Sequence, residues 1–146
     1  MLKTARTAIL LACLAPASAF AAGITDVLDH HVAGMKSGDV AAVVSDYAPD
    51  AVVVTPAGMV SPSGVFVGRD VSKLFKVLAG PKSVPGNKTM QTRYETLAPD
   101  TVKMTWVEFK GTNQEVSGYD IFVIRGGKVA YQTVIVNPTP KLMKAN

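Results

Sequence analysis

Two residue types that build many functional sites are scarce in this sequence of 146 residues, which has one cysteine, Cys13, and two histidines, His30 and His31. A single cysteine excludes an internal disulfide framework. Adjacent histidines on a helix point about 100° apart, so they cannot chelate one metal ion, and no third histidine can complete a site. We therefore predict no metal site.

Motifs for nucleotide binding and nucleophilic hydrolysis are missing as well. The chain has no Gly-x-Ser-x-Gly elbow, no phosphate-binding glycine loop and no dinucleotide-binding fingerprint. Its one glycine pair, Gly126 with Gly127, is explained by a two-residue hairpin turn. We therefore expect no cofactor.

The first 21 residues have the pattern of a secretory signal peptide. Lys3 and Arg6 precede an apolar run from Ala8 to Ala15, and small residues follow that suit signal peptidase. The run is about half the length that spans a bilayer. We predict cleavage near residues 19–22 and a periplasmic or secreted product. A membrane anchor, or a lipoprotein modified at Cys13, is the weaker alternative.

Cleavage would leave a single domain at residues 22–146 with 13 basic and 11 acidic residues, so its net charge would be +2 and not the +4 of the whole chain. The basic residues are scattered, without a cluster or interleaved aromatic side chains. We therefore expect no nucleic-acid partner, and no membrane span after signal cleavage.

Apolar periodicity predicts three helices early in the domain. Positions 24, 27, 28, 31 and 35 form a helical stripe, Asp39 suits the N-cap of a second short helix ending at Ala48-Pro49-Asp50, and a third runs from Val71 to Leu78. A buried strand is predicted at Ala51–Thr55.

Strands dominate the rest of the domain. Residues Pro56–Gly68 are predicted to form a loop with at most a short strand at Val65–Val67. The strands that follow are predicted at Thr89–Leu97, Thr101–Lys110, and a hairpin of Glu115–Arg125 with Lys128–Val136. Helices followed by a run of antiparallel strands predict an α+β domain, in which three N-terminal helices pack against a cone-shaped, curved antiparallel sheet.

The junction motifs of this arrangement resemble those of the nuclear-transport-factor-2-like superfamily, with its SnoaL-like and ketosteroid-isomerase-like branches nearest. The motifs are Ser37-Gly38-Asp39, Tyr47-Ala48-Pro49-Asp50-Ala51, Pro56 with Gly58, and Gly68-Arg69. The resemblance covers nearly all of residues 22–146 and implies a homodimer formed through the outer sheet face. It does not specify an activity, because the superfamily includes isomerases, cyclases, dehydratases and members without assigned chemistry.

The resemblance also implies site positions that can be compared one by one. Ketosteroid isomerases use an aspartate base and an oxyanion hole made by a tyrosine and a protonated aspartic acid. The tyrosine position holds His31, the base position holds Thr55, and Asp120 with Phe122 matches the aspartic acid. A threonine hydroxyl does not abstract a proton near neutral pH unaided, so the steroid-isomerase reaction is not implied. What is implied is a polar pair, His31 and Asp120, acting as hydrogen-bond donors, an ion pair or an acid–base couple.

Each of these residues also has a structural interpretation. His31 lies on an apolar stripe, which is typical of a core histidine bonded to a backbone carbonyl, and Asp120 would then make a structural hydrogen bond. Strand alternation places Asp120 and Phe122 on one face and Tyr119 on the other, and we expect the Asp120 face to line the pocket. The predicted ligand-binding residues are Tyr47, Thr55, Met59, Trp106 and Phe122.

Two functions from different classes follow from this reading. In the first, an exported protein binds a small hydrophobic molecule in an apolar pocket, or is merely a dimerising domain. In the second, it is a cofactor-free isomerase, cyclase or lyase that uses His31 and Asp120 as acid and base or as oxyanion donors. The first is preferred, because the general base is missing where the resemblance would place it.

Overall fold

The computed structural model describes residues 22–138, so the predicted signal segment and residues 139–146 lie outside it. The helices are α1 Ala22–Ser37, α2 Val40–Ser45, α3 Val71–Leu78 and α4 Val84–Asn87, with a 3₁₀ turn at Gly68–Asp70. The strands are β1 Tyr47–Val54, β2 Val65–Val67, β3 Gln91–Ala98, β4 Thr101–Glu108, β5 Val116–Arg125 and β6 Lys128–Val136.

Several sequence signals set the element boundaries as expected. The Asp39 carboxylate accepts a hydrogen bond from the Ala42 amide at 2.9 Å and caps α2. Helix α3 has the predicted bounds and buries Val71, Leu74 and Phe75. Gly126 and Gly127 join β5 to β6 with φ values of 57° and 72°, the left-handed region that this hairpin turn requires.

The six strands form one curved, open sheet in the order β2-β1-β6-β5-β4-β3. Strands β3 to β6 form the expected antiparallel meander. The predicted α+β class is confirmed, with one difference in the sheet: β1 pairs with β6 in parallel, so the sheet is mixed. Strands joined by a hairpin must be antiparallel, but β1 and β6 are the first and last strands of the sheet and no hairpin joins them. Their pairing is therefore free to be parallel.

Two local predictions were wrong. Residues 48–50 were expected to end a helix, but they belong to β1, which begins at Tyr47 and takes Pro49 at an irregular point of its pairing with β6. The four-residue helix α4 was missed, because its sequence Val-Pro-Gly-Asn is typical of a loop. The proline is tolerated because it lies in the first turn of the helix, where no intrahelical partner exists for an N–H.

The helices cover the concave inner face of the sheet and enclose the core with it. Leu28 of α1, Leu74 and Phe75 of α3, Val53 of β1 and Phe122 of β5 are at most 1% exposed. No helix within residues 22–138 has the length and apolar character that crossing a membrane requires. The helices stop short of filling the cone, which leaves a cavity at the end occupied by α4.

Candidate functional site

A cavity of about 550 Å³ lies between the helix layer and the inner face of the sheet. Most of its wall is apolar, with Val32 and Met35 from α1, Met104 from β4 and Val134 from β6 among the lining residues. A volume of this size and a wall with few polar groups are typical of small-molecule binding sites. The polar side chains that face it therefore define its chemistry.

Asp120 of β5 is the central polar residue of the wall. It is 5% exposed, and its two carboxyl oxygens each accept one hydrogen bond. Trp106 Nε1 donates to Oδ1 at 2.9 Å, and Gln132 Nε2 donates to Oδ2 at 2.8 Å. Burial raises the pKa of Asp120 to about 7, although both hydrogen bonds act in the opposite direction.

Strand register explains why these three side chains meet. Met104 faces Asp120 across β4 and β5, so Trp106 is the diagonal neighbour of Asp120, and Gln132 of β6 is the diagonal neighbour on the other side. Trp106 faces Gly118, where a Cβ would come within 2.6 Å of its indole ring. The missing side chain at Gly118 gives the indole room to reach Asp120.

Gln132 links Asp120 to a second buried hydroxyl. Tyr47 at the start of β1 donates its phenolic proton to Gln132 Oε1, while the amide nitrogen of Gln132 donates to Asp120. Burial raises the pKa of Tyr47 well above its usual value, with a further contribution from the charge of Asp120. Tyr47 therefore stays protonated and holds the Gln132 amide in the orientation that serves Asp120.

His31 of α1 lies in the cavity wall and is 2% exposed. Its ring makes edge-on contacts with Tyr47, Phe75 and Phe122 at centroid distances of 5.4–5.8 Å. Burial lowers the pKa of His31 to about 4, with a smaller contribution from the neighbouring His30, so the ring is neutral at pH 7. Among residues 22–138, no group pairs with its Nδ1 atom. A buried ring nitrogen without a partner is costly, and such exceptions concentrate at functional sites.

A second carboxyl group, Glu108, lines the cavity at the end of β4. Burial raises its pKa above the usual value. Glu108 packs over Gly86 of α4, where a Cβ would overlap with its Oε2 atom. Lys82, just before α4, is the basic residue of the lining and is exposed.

The structure brings together only some of the residues named from the sequence. His31, Asp120, Met59 and Trp106 all line the cavity. His31 and Asp120 make no ion pair with each other within residues 22–138, because the hydrogen bonds of Asp120 go to Trp106 and Gln132.

The other three predicted ligand-binding residues do not line the cavity. Phe122 is fully buried in the core, and Tyr47 contacts Gln132. The Thr55 hydroxyl donates to the Gly64 carbonyl at 3.2 Å and holds the loop after β1. None of the three is among the cavity-lining residues of the described chain.

Sequence analysis missed Gln132 and Glu108, although a signal for each was present. Gln132 is two residues before Val134 in β6, and Glu108 is two residues after Trp106 in β4. Strand alternation therefore places both on the inner face. A polar residue at an inward position of a strand indicates a hydrogen-bond network or a site.

Metal-ligand groupings are absent from the part of the chain that the structure covers. Within residues 22–138, no three histidine, cysteine or carboxylate side chains come close enough together to hold an ion. His30 lies on the surface and pairs with Asp46 at 2.8 Å, on a different side of α1 from His31.

Three solved structures illustrate how widely this fold is shared. An NTF-2-like protein of unknown function from Burkholderia xenovorans LB400 has a TM-score of 0.63 and 16% identity, covering 87% of this chain and 95% of that one. A SnoaL-like protein of unknown function from Burkholderia thailandensis E264 has a TM-score of 0.60 and 15% identity, covering 81% and 98%. SalBIII, an epoxide hydrolase/cyclase-like enzyme with a role in pyran ring formation in polyether salinomycin, has a TM-score of 0.59 and 15% identity, covering 77% and 89%.

No protein-family model and no curated protein matches the sequence. Similarity at 15–16% identity is similarity of fold, and one fold carries many activities. The matches nevertheless cover more than three quarters of the chain. The chain thus has the nuclear-transport-factor-2-like fold.

Proposed function

We propose that the protein binds a small hydrophobic molecule in the cavity between its helices and sheet. The observation that carries this proposal is the cavity itself, about 550 Å³ with a mainly apolar wall. Burying apolar ligand surface there contributes roughly 25 cal/mol for each Å² removed from water. Asp120, Gln132 and His31 supply the few polar groups that would fix the orientation of the ligand.

Fluorescence offers a direct test, because Trp106 is the single tryptophan of the chain and lines the cavity. The neutral apolar dye N-phenyl-1-naphthylamine should bind saturably and quench Trp106 by energy transfer. Val134→Phe narrows the cavity and should weaken dye binding by about tenfold or more. Ile135→Phe, which introduces the same aromatic side chain at the neighbouring position on the outer sheet face, is the matched control and should bind the dye as the unsubstituted protein does. Absence of saturable binding, or equal binding by both variants, would contradict the proposal.

A second candidate function is a cofactor-free isomerase, cyclase or lyase that uses Asp120 and His31. It is favoured by one observation, the buried Asp120 carboxyl with a pKa of about 7, which suits a general acid at neutral pH. Thr55 does not supply the missing base, because its hydroxyl is bonded to the loop carbonyl of Gly64. His31, neutral and without a partner for Nδ1 in the described chain, is the group positioned to accept a proton.

The two candidates are separated by following the ligand after it binds. Native mass spectrometry of the protein purified from an exporting host would identify a retained molecule, and NMR would follow that molecule during incubation with fresh protein. An enzyme converts it, and both Asp120→Asn and His31→Gln should stop the conversion. A molecule recovered unchanged after long incubation supports binding alone.

We also propose that the protein works outside the cytoplasm, in the periplasm or after secretion. The support is the basic and then apolar pattern of residues 1–21, which precede the described range. Intact-mass measurement on material from an exporting host should give the mass of a chain that begins near residues 20–23. Full-length protein in the soluble cytoplasmic fraction would contradict this.

A further inference from the structure

Two carboxyl groups face the same apolar cavity. Asp120 lines it from β5, and Glu108 lines it from the end of β4, two residues after Trp106. Both are partly or fully removed from water, and burial raises the pKa of each. Carboxyl groups in an apolar site are costly unless something there compensates their charge.

No basic side chain compensates either carboxyl within residues 22–138. The two hydrogen bonds of Asp120 come from uncharged N–H groups of Trp106 and Gln132, and Glu108 takes part in no ion pair or hydrogen bond of that range. Lys82, the basic residue of the lining, pairs with neither of them. The cavity therefore has an excess of acid, whereas the chain as a whole is basic.

The local packing keeps Glu108 in this position. Gly86 of α4 leaves the space that the carboxyl group occupies, since a Cβ there would overlap with Glu108 Oε2 and lie 3.1 Å from the Phe109 ring. Phe109 has a φ of 51°, the only positive φ of a non-glycine residue in residues 22–138, and its amide donates to Thr89 Oγ1 at 2.7 Å. A strained residue therefore directly follows Glu108.

The remaining polar and aromatic groups of the wall add no positive charge. His31 lines the cavity as a neutral ring, 2% exposed, with no partner for Nδ1 in the described chain. Trp106, Phe75 and Phe109 contribute aromatic rings, whose faces attract cations. Two uncharged donors on Asp120 stabilise its ionised form, so a nearby positive charge would complete the ionisation.

We propose that the ligand is an apolar molecule with a cationic group, such as a protonated amine, which pairs with the Glu108 carboxylate against the aromatic wall, while Asp120, four positions further along the sheet, adds to the negative potential of the cavity. This inference rests on the proposed binding function. A cation in the cavity offsets the desolvation of the carboxylates, whereas an anionic group would be repelled by them. The apolar part of the ligand would contact the methionine and valine side chains of the wall.

Three ligands with the same chain and different charge test the inference: octylamine, 1-octanol and octanoate. Binding is measured at neutral pH by displacement of N-phenyl-1-naphthylamine and by Trp106 fluorescence. Octylamine should bind about tenfold tighter than 1-octanol, and octanoate should bind weakest. Equal binding of all three would overturn the cation inference and leave the proposed function intact. Tightest binding of octanoate would overturn it as well and point to Lys82. If the dye binds but none of the three octyl compounds does, only the cation inference is overturned. If neither the dye nor any octyl compound binds, the proposed binding function is overturned as well.

Variants identify which groups set the preference. Glu108→Gln and Asp120→Asn should each lower the ratio of octylamine to 1-octanol affinity by about threefold or more. Lys82→Gln removes the opposing charge and should raise this ratio, which keeps the test informative if an acidic-site variant fails to fold. Glu95→Gln, the same chemical change on the exposed surface of β3, is the matched control and should leave the ratio unchanged. An unchanged ratio in the Glu108, Asp120 and Lys82 variants would overturn the inference.

Discussion

Burial acts in opposite directions on the pKa values of Asp120 and His31. The apolar cavity wall disfavours the charged form of both groups, so it raises the carboxyl pKa to about 7 and lowers the imidazole pKa to about 4. Both side chains can therefore be neutral in the same site near pH 6. Their effects on stability have opposite dependence on pH, which allows each to be measured separately.

For Asp120, the carboxyl group is protonated in the folded state but ionised in the unfolded state between about pH 4 and pH 7. Stability therefore falls as the pH rises through this interval, by an amount on the order of 4 kcal/mol. Asp120→Asn removes the titration, so we expect the variant to gain stability relative to the unsubstituted protein as the pH rises from 5 to 8. Urea unfolding at these two pH values measures the difference. A constant difference would mean that Asp120 is not desolvated as described.

For His31, the imidazole is protonated in the unfolded state but neutral in the folded state between about pH 6.5 and pH 4. This lowers stability on acidification by an amount on the order of 3 kcal/mol. His31→Leu keeps an apolar side chain against Tyr47, Phe75 and Phe122 and removes the titration. We expect its gain in the free energy of unfolding to be larger at pH 5 than at pH 8. An equal gain at both pH values would contradict the assignment.

At the scale of elements, β4 and α4 together shape the cavity wall around Glu108. Alternation along β4 turns Met104, Trp106 and Glu108 inward, and α4 packs its Gly86 against the last of them. The inward face of β4 could be predicted from the sequence, since period-two alternation is a strong signal. Helix α4 could not be, because its four residues gain their helical conformation from tertiary packing and not from propensity.

Gly86→Ala tests the contact between these two elements. Alanine is favoured over glycine in a helix by roughly 0.5–1 kcal/mol, but its Cβ would displace the Glu108 carboxyl group. We expect Gly86→Ala to be more favourable in a Glu108→Ala background than in the unsubstituted protein, by about 1 kcal/mol in a double-mutant cycle measured by urea unfolding. Gly23→Ala in α1, where a Cβ meets nothing within 4 Å, should show no such coupling. Additive effects of Gly86→Ala and Glu108→Ala would exclude the contact.

At the scale of the whole molecule, the face of the sheet away from the cavity is largely apolar over β2, β1, β6 and β5, whereas its β4–β3 end carries Lys103, Glu95 and Arg93. Cross-strand pairing aligns residues of four neighbouring strands in rows, one of Val67, Val52, Tyr131 and Val123, and a second of Val65, Val54, Thr133 and Ile121. Tyr131 and Ile135 are each 37% exposed there. Contiguous apolar patches on a folded chain mark interaction sites. Strand alternation in the sequence places Tyr119 on this face, but the parallel pairing of β1 with β6, which extends the patch to β2, follows from tertiary structure alone.

We propose that this outer face joins two copies of the chain, as the sequence resemblance implies. Sedimentation should give a dimer at micromolar concentration. Tyr131→Glu places a charge in the middle of the apolar rows and should shift the protein to monomers, because a buried unpaired carboxylate is costly at an interface. Val77→Glu introduces the same charge at a 49% exposed position on α3, on the helix side of the molecule, and should leave the dimer intact. If the unsubstituted protein is a monomer, the proposed dimer does not form. If Val77→Glu alone dissociates the dimer, the interface lies on the helix side of the molecule and not on the outer sheet face. The cavity opens on the opposite side of the sheet, so dye binding by the Tyr131→Glu monomer should persist.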